Sequence, residues 1–363
     1  MQEILLQLPV IDATITELVV LVIAALAGGA FGAAIGALPA FIFTGFVVFL
    51  GEGLAILRSN VGGAVGDVGT GELATGITGV IGFGMVTGPH VAFAGGVAAS
   101  AYAGKKYPEM EPDDWDYHFG KNILYAFGTK PDILAVGAIF GVFGMLFNRV
   151  FAGLFAFSGF GLTDSIAVTV VASAFLARVV FGYPIIGKAQ GNGFFDMTPF
   201  EREEPHMAAD GGTEEHAGRL ATEPWLPQQY KWSGVAAIGL VGGVLGGYLW
   251  LRTGSIFLGY AISAMSLLFL QLGVENIPVT HHITLLGSVG AAVAAASVGS
   301  DPVVLIAAGA LGAVSGLVGE ATQRVFYSHS GTHVDPPAMA IAVVMLAVGI
   351  LAITGVIPTA GYL

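Results

Sequence analysis

Long apolar stretches alternate along the chain with short polar segments, and this pattern predicts membrane-spanning helices. A helix needs about 20 mostly apolar residues to cross a bilayer. The predicted spans are 18–36, 38–57, 88–104, 131–157 and 160–183 in the first half and 233–251, 254–273, 282–298, 302–326 and 336–357 in the second. We therefore expect an all-α polytopic membrane protein with about ten transmembrane helices.

The polar segments divide the chain. An N-terminal segment, 1–17, precedes a first membrane unit at 18–183, which carries a hydrophilic insert at 105–130. A linker at 184–231 is rich in Glu, Gly and Pro and leads into a second membrane unit at 232–363. Because the linker has few large apolar side chains in its second part, we expect it to be acidic and largely solvated.

Residues 70–86 are apolar but rich in Gly and Thr, so they are a weaker candidate for a span. We favour a re-entrant or broken helix here, which is tolerated at membrane depth only where protein or a water-filled cavity covers it. The alternative is a full span. That would make eleven spans and leave the first two helices of each half parallel.

The two membrane units share an ordered set of similar blocks. Residues 87–99 can be laid over 279–291, and each block begins a small-residue helix with a histidine. The further matches are Gly28 with Gly242, Pro131 with Pro302, Gly137 with Gly309, Gly144 with Gly316, Arg149 with Arg324 and Asp164 with Asp335. A repeat of five spans is odd, so the second copy should be inverted relative to the first, as in many transporters.

Basic residues indicate the orientation. The insert contains four lysines and the linker contains two lysines and two arginines, namely Lys105, Lys106, Lys121, Lys130, Lys188, Arg202, Arg219 and Lys231. Cytoplasmic loops carry an excess of such residues, so we expect a multi-pass cell-membrane protein with its central linker in the cytoplasm.

The composition supports this class of protein and excludes others. The chain has 55% hydrophobic and 10% charged residues, a mean hydropathy of +0.80 and 55 glycines, which suit close packing of membrane helices. It has no cysteine, and its net charge of −12 argues against nucleic-acid partners. The acidic, lysine-poor composition also suggests a halophilic source.

His90 and His282 are the main candidates for a solute pathway. Each follows a backbone break and begins a helix, where free N–H groups and the helix dipole favour a polar or anionic group. An imidazole there could also carry a proton. The alternative is a histidine bonded to a loop at the membrane interface. His281 has Pro89 as its counterpart and is expected to matter less.

Asp164 and Asp335 precede apolar helices, and N-capping alone could explain them. A second interpretation places each carboxylate on the pathway, paired with Arg149 or Arg324, because charges near membrane depth are expected to pair. Glu320 lies four residues before Arg324, a spacing that favours an ion pair within one helix.

Glu275 and Asn276 precede Pro278 and are further pathway candidates. His329 and His333 lack nearby carboxylate or thiolate ligands in the pattern of a metal site, so we predict no metal. The chain also lacks a phosphate-binding loop, a nucleophile elbow and a zinc-protease motif. We expect no cofactor and no enzymatic activity.

These observations favour a channel or secondary transporter for a small polar solute or ion, with its pathway at the interface of the inverted repeats. The alternative is a non-transporting membrane scaffold or a subunit of a larger membrane complex. The layout resembles that of the urea-transporter and ammonium-transporter classes, although in layout and not in motif. That resemblance implies a homo-oligomer, because members of these classes commonly form trimers.

Overall fold

The computed structural model describes residues 13–60, 76–157, 159–205 and 219–363. Most of the predicted N-terminal segment, part of the 70–86 stretch and the middle of the linker therefore lie outside the described residues. Within those residues the chain is helical, apart from an antiparallel pair of two-residue strands, Ala156–Phe157 and Phe160–Gly161.

Ten long helices occupy the described part of the chain. The first five are α1 (Ile15–Ile35), α2 (Ala37–Asn60), α3 (Ala94–Lys106), α4 (Pro131–Phe155) and α5 (Ser165–Phe181). The second five are α6 (Trp232–Thr253), α7 (Phe257–Gln271), α8 (His281–Ala295), α9 (Asp301–Phe326) and α10 (Pro336–Ile353). Shorter turns lie at Ile77–Gly82, Pro89–Phe93, Pro108–Met110, Phe119–Lys121 and Thr198–Glu201.

Local sequence explains several helix ends. Thr14 and Glu17 form a capping box at the start of α1. Gly36, with φ of 95°, has a non-helical conformation and separates α1 from α2. Glycine adopts this conformation readily, whereas residues with a Cβ atom disfavour it. Proline occupies the first turns of α4, α9 and α10, where its missing N–H costs no helical hydrogen bond.

Six of the described helices are long and apolar enough to cross a membrane, namely α1, α2, α4, α6, α9 and α10. Helices α5, α7 and α8 are apolar but shorter, at 17, 15 and 15 residues. Large apolar side chains on the long helices are exposed, including Val20, Phe46 and Leu245. Exposed apolar surface on this scale indicates a membrane-embedded protein.

The predicted 70–86 element is partly described. Its residues 77–82 form a π-helical turn, Ile77–Gly82, which is followed by irregular turns up to Gly88. A second π-helical turn, Pro89–Phe93, runs directly into α3. Whether the stretch as a whole crosses the membrane depends on residues outside the described part.

Glycines bring two sets of three helices into backbone contact. Gly29 of α1 packs against Gly141 of α4, and Gly95 of α3 packs against the Gly29 backbone. In the second set, Gly243 of α6 packs against α9, and Gly287 of α8 packs against the Gly243 backbone. In each set an added methyl group would overlap the neighbouring backbone, so glycine is required for this spacing.

Residues 184–205 of the linker are mostly exposed, as expected, whereas the expectation of a solvated linker is wrong for residues 219–231. Thr222, Glu223 and Leu226 are buried, and Arg219 binds the carbonyl of Tyr117 and the carboxylate of Glu111. Sequence composition suggested solvation because it does not reveal that the insert supplies partners for these polar groups. We call the side of the molecule where insert and linker meet the linker side.

Candidate functional site

A cavity of about 1030 Å³ is lined by residues of both halves of the chain. Its walls come from α2, α4, α5 and the Pro89–Phe93 turn in the first half and from α7, α8 and α10 in the second. The insert and the linker supply its mouth on the linker side. The residues that matter most below are Phe41, Lys121, Asp164, Tyr260, His281, Tyr327, His333, Asp335 and Tyr362.

Two of the predicted pathway residues, Asp164 and Asp335, lie on the cavity wall. Each caps a helix: Asp164 accepts the Ala167 N–H at 2.7 Å, and Asp335 accepts the Ala338 N–H at 2.8 Å. Both capping and pathway interpretations can hold together, because a carboxylate offers about four acceptor positions.

Each carboxylate has one further side-chain partner. The Tyr362 hydroxyl donates to Asp164 at 2.7 Å, and Nε2 of His333 lies 3.2 Å from Asp335. The Tyr260 hydroxyl interacts electrostatically with both Asp164 and Asp335. Tyr260 therefore lies close enough to both carboxylates to interact with each of them.

Aromatic rings connect the two carboxylates across the cavity. The Phe41 ring lies 6.0 Å from that of Phe93, 5.9 Å from that of Tyr260 and 4.6 Å from the imidazole of His281. The Phe93 ring in turn lies 5.8 Å from His333. Edge and tilted ring contacts of this kind give a rigid apolar wall with oriented ring faces.

His281, which the sequence ranked below His282, is the histidine of α8 on the cavity wall. Its side chain is 5% exposed, and its Nδ1 has no hydrogen-bond partner among the described residues. A buried polar atom without a partner carries a desolvation cost. His281 therefore places an imidazole with an unmatched nitrogen on the cavity wall.

His90 and His282 lie behind the wall and do not line the cavity. Both are 1% exposed. Neither ring nitrogen of His90 bonds to another described residue, while the imidazole of His282 lies against Trp225 and His281. A direct contact between either histidine and a solute stays a prediction, and their positions suit packing against the wall residues.

A buried ion pair lies beside the mouth. Nζ of Lys121 lies 2.6 Å from Glu223, and Nδ1 of His118 lies 2.8 Å from the same carboxylate. Burial alone would raise the pKa of Glu223, but the charge of Lys121 and the contact with His118 lower it to about 2. The Lys121 ammonium also lies 4.5 Å above the Tyr327 ring. The pair joins insert, linker and cavity wall.

Arg178, at the end of α5, holds the loop that carries His333. Its guanidinium is fully buried and donates to Thr332, Ser330 and the carbonyls of Phe326 and Ile185 at 2.6 to 2.7 Å. Five rigid donors on a planar group suit this number of acceptors. Arg178 therefore fixes the backbone from which His333 and Asp335 reach the cavity.

The structure corrects the proposed pairing of Arg324 with Asp335. Arg324 binds Glu320 of its own helix at 2.5 Å and also donates to the carbonyls of Phe195 and Tyr230. Asp335 caps α10 instead, because its carboxylate lies closest to the free N–H groups of that helix. These bonds make Arg324 a link between α9 and the linker.

Arg149, likewise predicted to pair with Asp164, interacts electrostatically with Glu17 of α1, while Asp164 binds Tyr362. Arg149 is half-buried near the end of α4. Asp164 makes its hydrogen bonds with Tyr362 and the Ala167 N–H, and the structural role of Arg149 stays a prediction.

Glu275 and Asn276 are exposed on the loop between α7 and α8. They border a surface depression of about 440 Å³ that shares Pro227, Gln228 and Leu270 with the wall of the large cavity. The two predicted residues therefore lie beside the mouth and outside the cavity itself.

The sequence did not single out Tyr260, Tyr362, Lys121 or Arg178. Pro89 and His281, which occupy matching positions of the two histidine blocks, both line the cavity. The alignment of the two histidine blocks gave the matching positions, but only the structure shows that the residue before each matched histidine faces the cavity. The others come from distant helices and loops and leave no local pattern.

A model of a protein family described as a family of unknown function (DUF7973) matches residues 10–363. The chain belongs to this family. The match spans both membrane units and the linker, so family membership concerns the whole arrangement described above. No curated protein and no solved structure matches the chain.

Proposed function

We propose that this DUF7973 member is a membrane channel or secondary transporter for a small polar solute or ion, with its pathway between two inverted repeats. The observation that carries the proposal is the composition of the cavity wall, to which each half contributes three helices. Solute sites of repeat-based transporters lie at such an interface, near discontinuous helices. The cavity volume suits a small-molecule site.

Matching contacts support the duplication. Gly32 of α1 packs on the Ala92 carbonyl, and Gly246 of α6 packs on the Thr284 carbonyl. The contacts also revise one sequence match: Gly141 and Gly312 make equivalent contacts with α1 and α6. This register is one residue away from the predicted pairing of Gly137 with Gly309, a shift that glycine-rich sequence conceals.

The direction of the helices supports inversion. The start of α2 binds the insert through the Leu38 N–H and the Ile123 carbonyl, whereas α7 reaches the insert at its end, through Gln271 and Leu124. The end of α1 also contacts the insert, because Phe127 donates to Ala33, while α6 begins at the linker. The first two helix pairs thus run in opposite directions relative to the linker side.

The remaining helices follow the same rule. Helix α4 begins at the insert, and α9 ends beside the linker, where Arg324 binds Tyr230. Helix α5 ends there through Arg178, while α10 begins after His333, whose N–H donates to Gly120 of the insert. Helix α3 ends at the insert, and α8 begins next to the bond between Gln229 and Val279.

A flux assay with purified protein in liposomes tests the proposal, using a panel of small polar solutes and ions with and without a pH gradient. Flux that follows the proton gradient would indicate a coupled transporter, and gradient-independent flux would indicate a channel. An absence of flux across the panel would favour the scaffold role.

A matched pair of substitutions on α10 tests whether flux uses the cavity. Ala338→Phe places a ring in the cavity, whereas Val343→Phe places the same ring on an exposed position of the same helix. We expect Ala338→Phe to lower flux about ten-fold or more and Val343→Phe to retain it. Unchanged flux in a folded Ala338→Phe variant would place the pathway elsewhere.

His90→Ala and His282→Ala should also impair flux without loss of folding, because both rings pack behind wall residues. Wild-type flux in both variants would remove the histidines from the mechanism.

A further inference from the structure

We infer that the cavity binds a small organic cation, a protonated amine or quaternary ammonium with apolar substituents. This inference names the substrate class and rests on the proposed function only for transport. Binding can be measured without flux. The argument has four parts: the charge of the wall, its ring faces, its free polar groups and its lack of a tight ligand cluster.

The charge of the wall is negative. Of the described residues that line the cavity, five are carboxylates and one is a lysine; the carboxylates are Asp114, Asp116, Asp164, Glu203 and Asp335. The lysine, Lys121, is neutralised by Glu223 at 2.6 Å. Asp114, Asp116 and Glu203 are exposed at the mouth, whereas Asp164 and Asp335 are half-buried. Together they give the cavity a negative potential, which raises the local concentration of cations and disfavours anions. A preference for cations differs from the polar or anionic group that the helix N-termini at His90 and His282 suggested.

Ring faces suit the apolar part of an organic cation. Phe41, Phe93 and Tyr260 form one connected group at the centre of the wall. The rings of Phe83 and Phe257 extend it, at 5.8 Å from Tyr260 and 5.2 Å from Phe83, respectively. Aromatic faces attract ammonium groups through their quadrupole, and enclosed aromatic walls are a recurrent way to bind quaternary ammonium ligands.

The wall also offers unused polar capacity. The capping and side-chain partners of Asp164 and Asp335 leave acceptor positions on these carboxylates for a further bond. Nδ1 of the buried His281 has no partner among the described residues. A ligand that carries both a cationic group and a hydroxyl or amine could therefore satisfy a carboxylate and this imidazole together.

The arrangement favours an organic cation over a metal ion. Metal sites need several oxygen or nitrogen ligands at short distance around one point. In the part of the chain that the structure describes, no three or more His, Cys, Asp or Glu side chains come together in this way. Asp164 and Asp335 are instead separated by the aromatic wall, and the cavity of about 1030 Å³ has room for an organic molecule.

Equilibrium binding to the purified, detergent-solubilised full chain tests the inference. The probes are radiolabelled choline and its neutral carbon isostere, in which a tert-butyl group replaces the trimethylammonium group. A carboxylate with the same tert-butyl group is the anionic probe. We expect choline to bind about ten-fold more tightly than the neutral isostere, and the carboxylate to bind weakest.

Variants locate the site. Asp335→Asn and Asp164→Asn keep an acceptor for the helix cap but remove the charge, and each should weaken choline binding about ten-fold. Asp301→Asn removes an exposed carboxylate at the start of α9 and should leave binding unchanged. Equal affinity for choline and its isostere, or unchanged affinity in both cavity variants, would overturn the inference.

The same preparation in liposomes separates this inference from the proposed function. Choline binding without flux of any solute would retain the cation site and refute transport. Flux of neutral or anionic solutes without choline binding would retain transport and refute the cation site.

Discussion

The segments around the two matched histidines, His90 and His282, differ in local structure and in the contacts that hold their backbones. His90 lies in a π-helical turn ahead of α3, and its carbonyl packs against Gly144. His282 lies in the regular first turn of α8, and its carbonyl accepts a hydrogen bond from Ser315 at 3.1 Å. Both imidazoles are buried. A close contact with a glycine holds the backbone at His90, whereas a hydrogen bond from a serine holds the backbone at His282.

The residue before each histidine makes the chemical difference. Pro89 contributes an apolar ring and no backbone N–H to the cavity wall, whereas His281 contributes an imidazole with a free nitrogen. The first half therefore supplies shape at this position and the second half supplies polarity. The packing contacts of the two halves are similar, while the residues at the wall positions differ.

The largest expected effect comes from Gly144→Ala. Its methyl group would overlap the carbonyl of His90, and this backbone atom cannot move away as a flexible side chain could. We expect the yield of folded protein to collapse, measured by size-exclusion chromatography and thermal unfolding in detergent. Gly53→Ala, with open space around it, is the matched control and should fold normally. A well-folded Gly144→Ala variant would contradict the close contact at α3.

The next effect concerns the insert, which the second half lacks. Lys121→Met should lower the free energy of unfolding by about 3–5 kcal/mol, because Glu223 would remain buried without its cation. Arg202→Met breaks an exposed pair with Glu204 and should change stability little. If both substitutions lower the free energy of unfolding equally in chemical denaturation, the buried pair stabilises the protein no more than the exposed pair does.

The same pair predicts acid sensitivity. The pKa of Glu223 in the folded protein is about 2, below its ordinary value of 4.5, so its contribution to stability is complete above pH 4.5. That contribution should be lost as the pH falls from 4.5 toward 2. Thermal unfolding across this range should show a steeper loss for the wild type than for Glu223→Gln. Parallel curves would refute the assignment.

A smaller effect separates the two carboxylates. Tyr362→Phe removes the hydroxyl that binds Asp164 and should lower stability by about 1.5–3 kcal/mol, the usual range for a bond to a charged group. Tyr248→Phe, on an exposed position of α6, is the control. If the two variants unfold at the same temperature, the Asp164 carboxylate does not depend on this bond.

The smallest effect sharpens the opening comparison. Ser315→Ala removes one neutral hydrogen bond to the His282 carbonyl and should cost about 1 kcal/mol. The informative quantity is the difference between the stability losses of Gly144→Ala and Ser315→Ala. A side chain fits against the His282 carbonyl, whereas none fits against the His90 carbonyl. A severe defect in Ser315→Ala, seen as loss of the monodisperse peak, would show that the two contacts are equally strict.

The helices were largely predictable because span length and apolar composition are local properties. The predicted spans 131–157 and 302–326 agree with α4 and α9 within about two residues. The capping positions of Asp164 and Asp335 follow from the same local rules. The shorter α7 and α8 were overestimated, since apolar loop residues extend their hydrophobic stretches.

The site was less predictable because its parts come from distant segments. Lys121 counts as a cytoplasmic, exposed lysine by sequence rules, and only Glu223, 102 residues later, explains its burial. Similarly, choosing His281 over His282 requires knowing which direction α8 presents to the cavity. Successive residues of a helix point about 100° apart, so an error of one position moves a side chain from the wall to the packing behind it.

The hydrogen bonds of Arg178 have a consequence for the order in which the two halves pack during synthesis. Its main acceptors, at Phe326, Ser330 and Thr332, are made about 150 residues after α5. Until α9 emerges, this guanidinium lacks the groups that offset its burial, and a lone charge is costly inside a bilayer. We therefore expect the end of α5 to stay near the aqueous interface while the second half is translated, and the two membrane units to reach their final packing together.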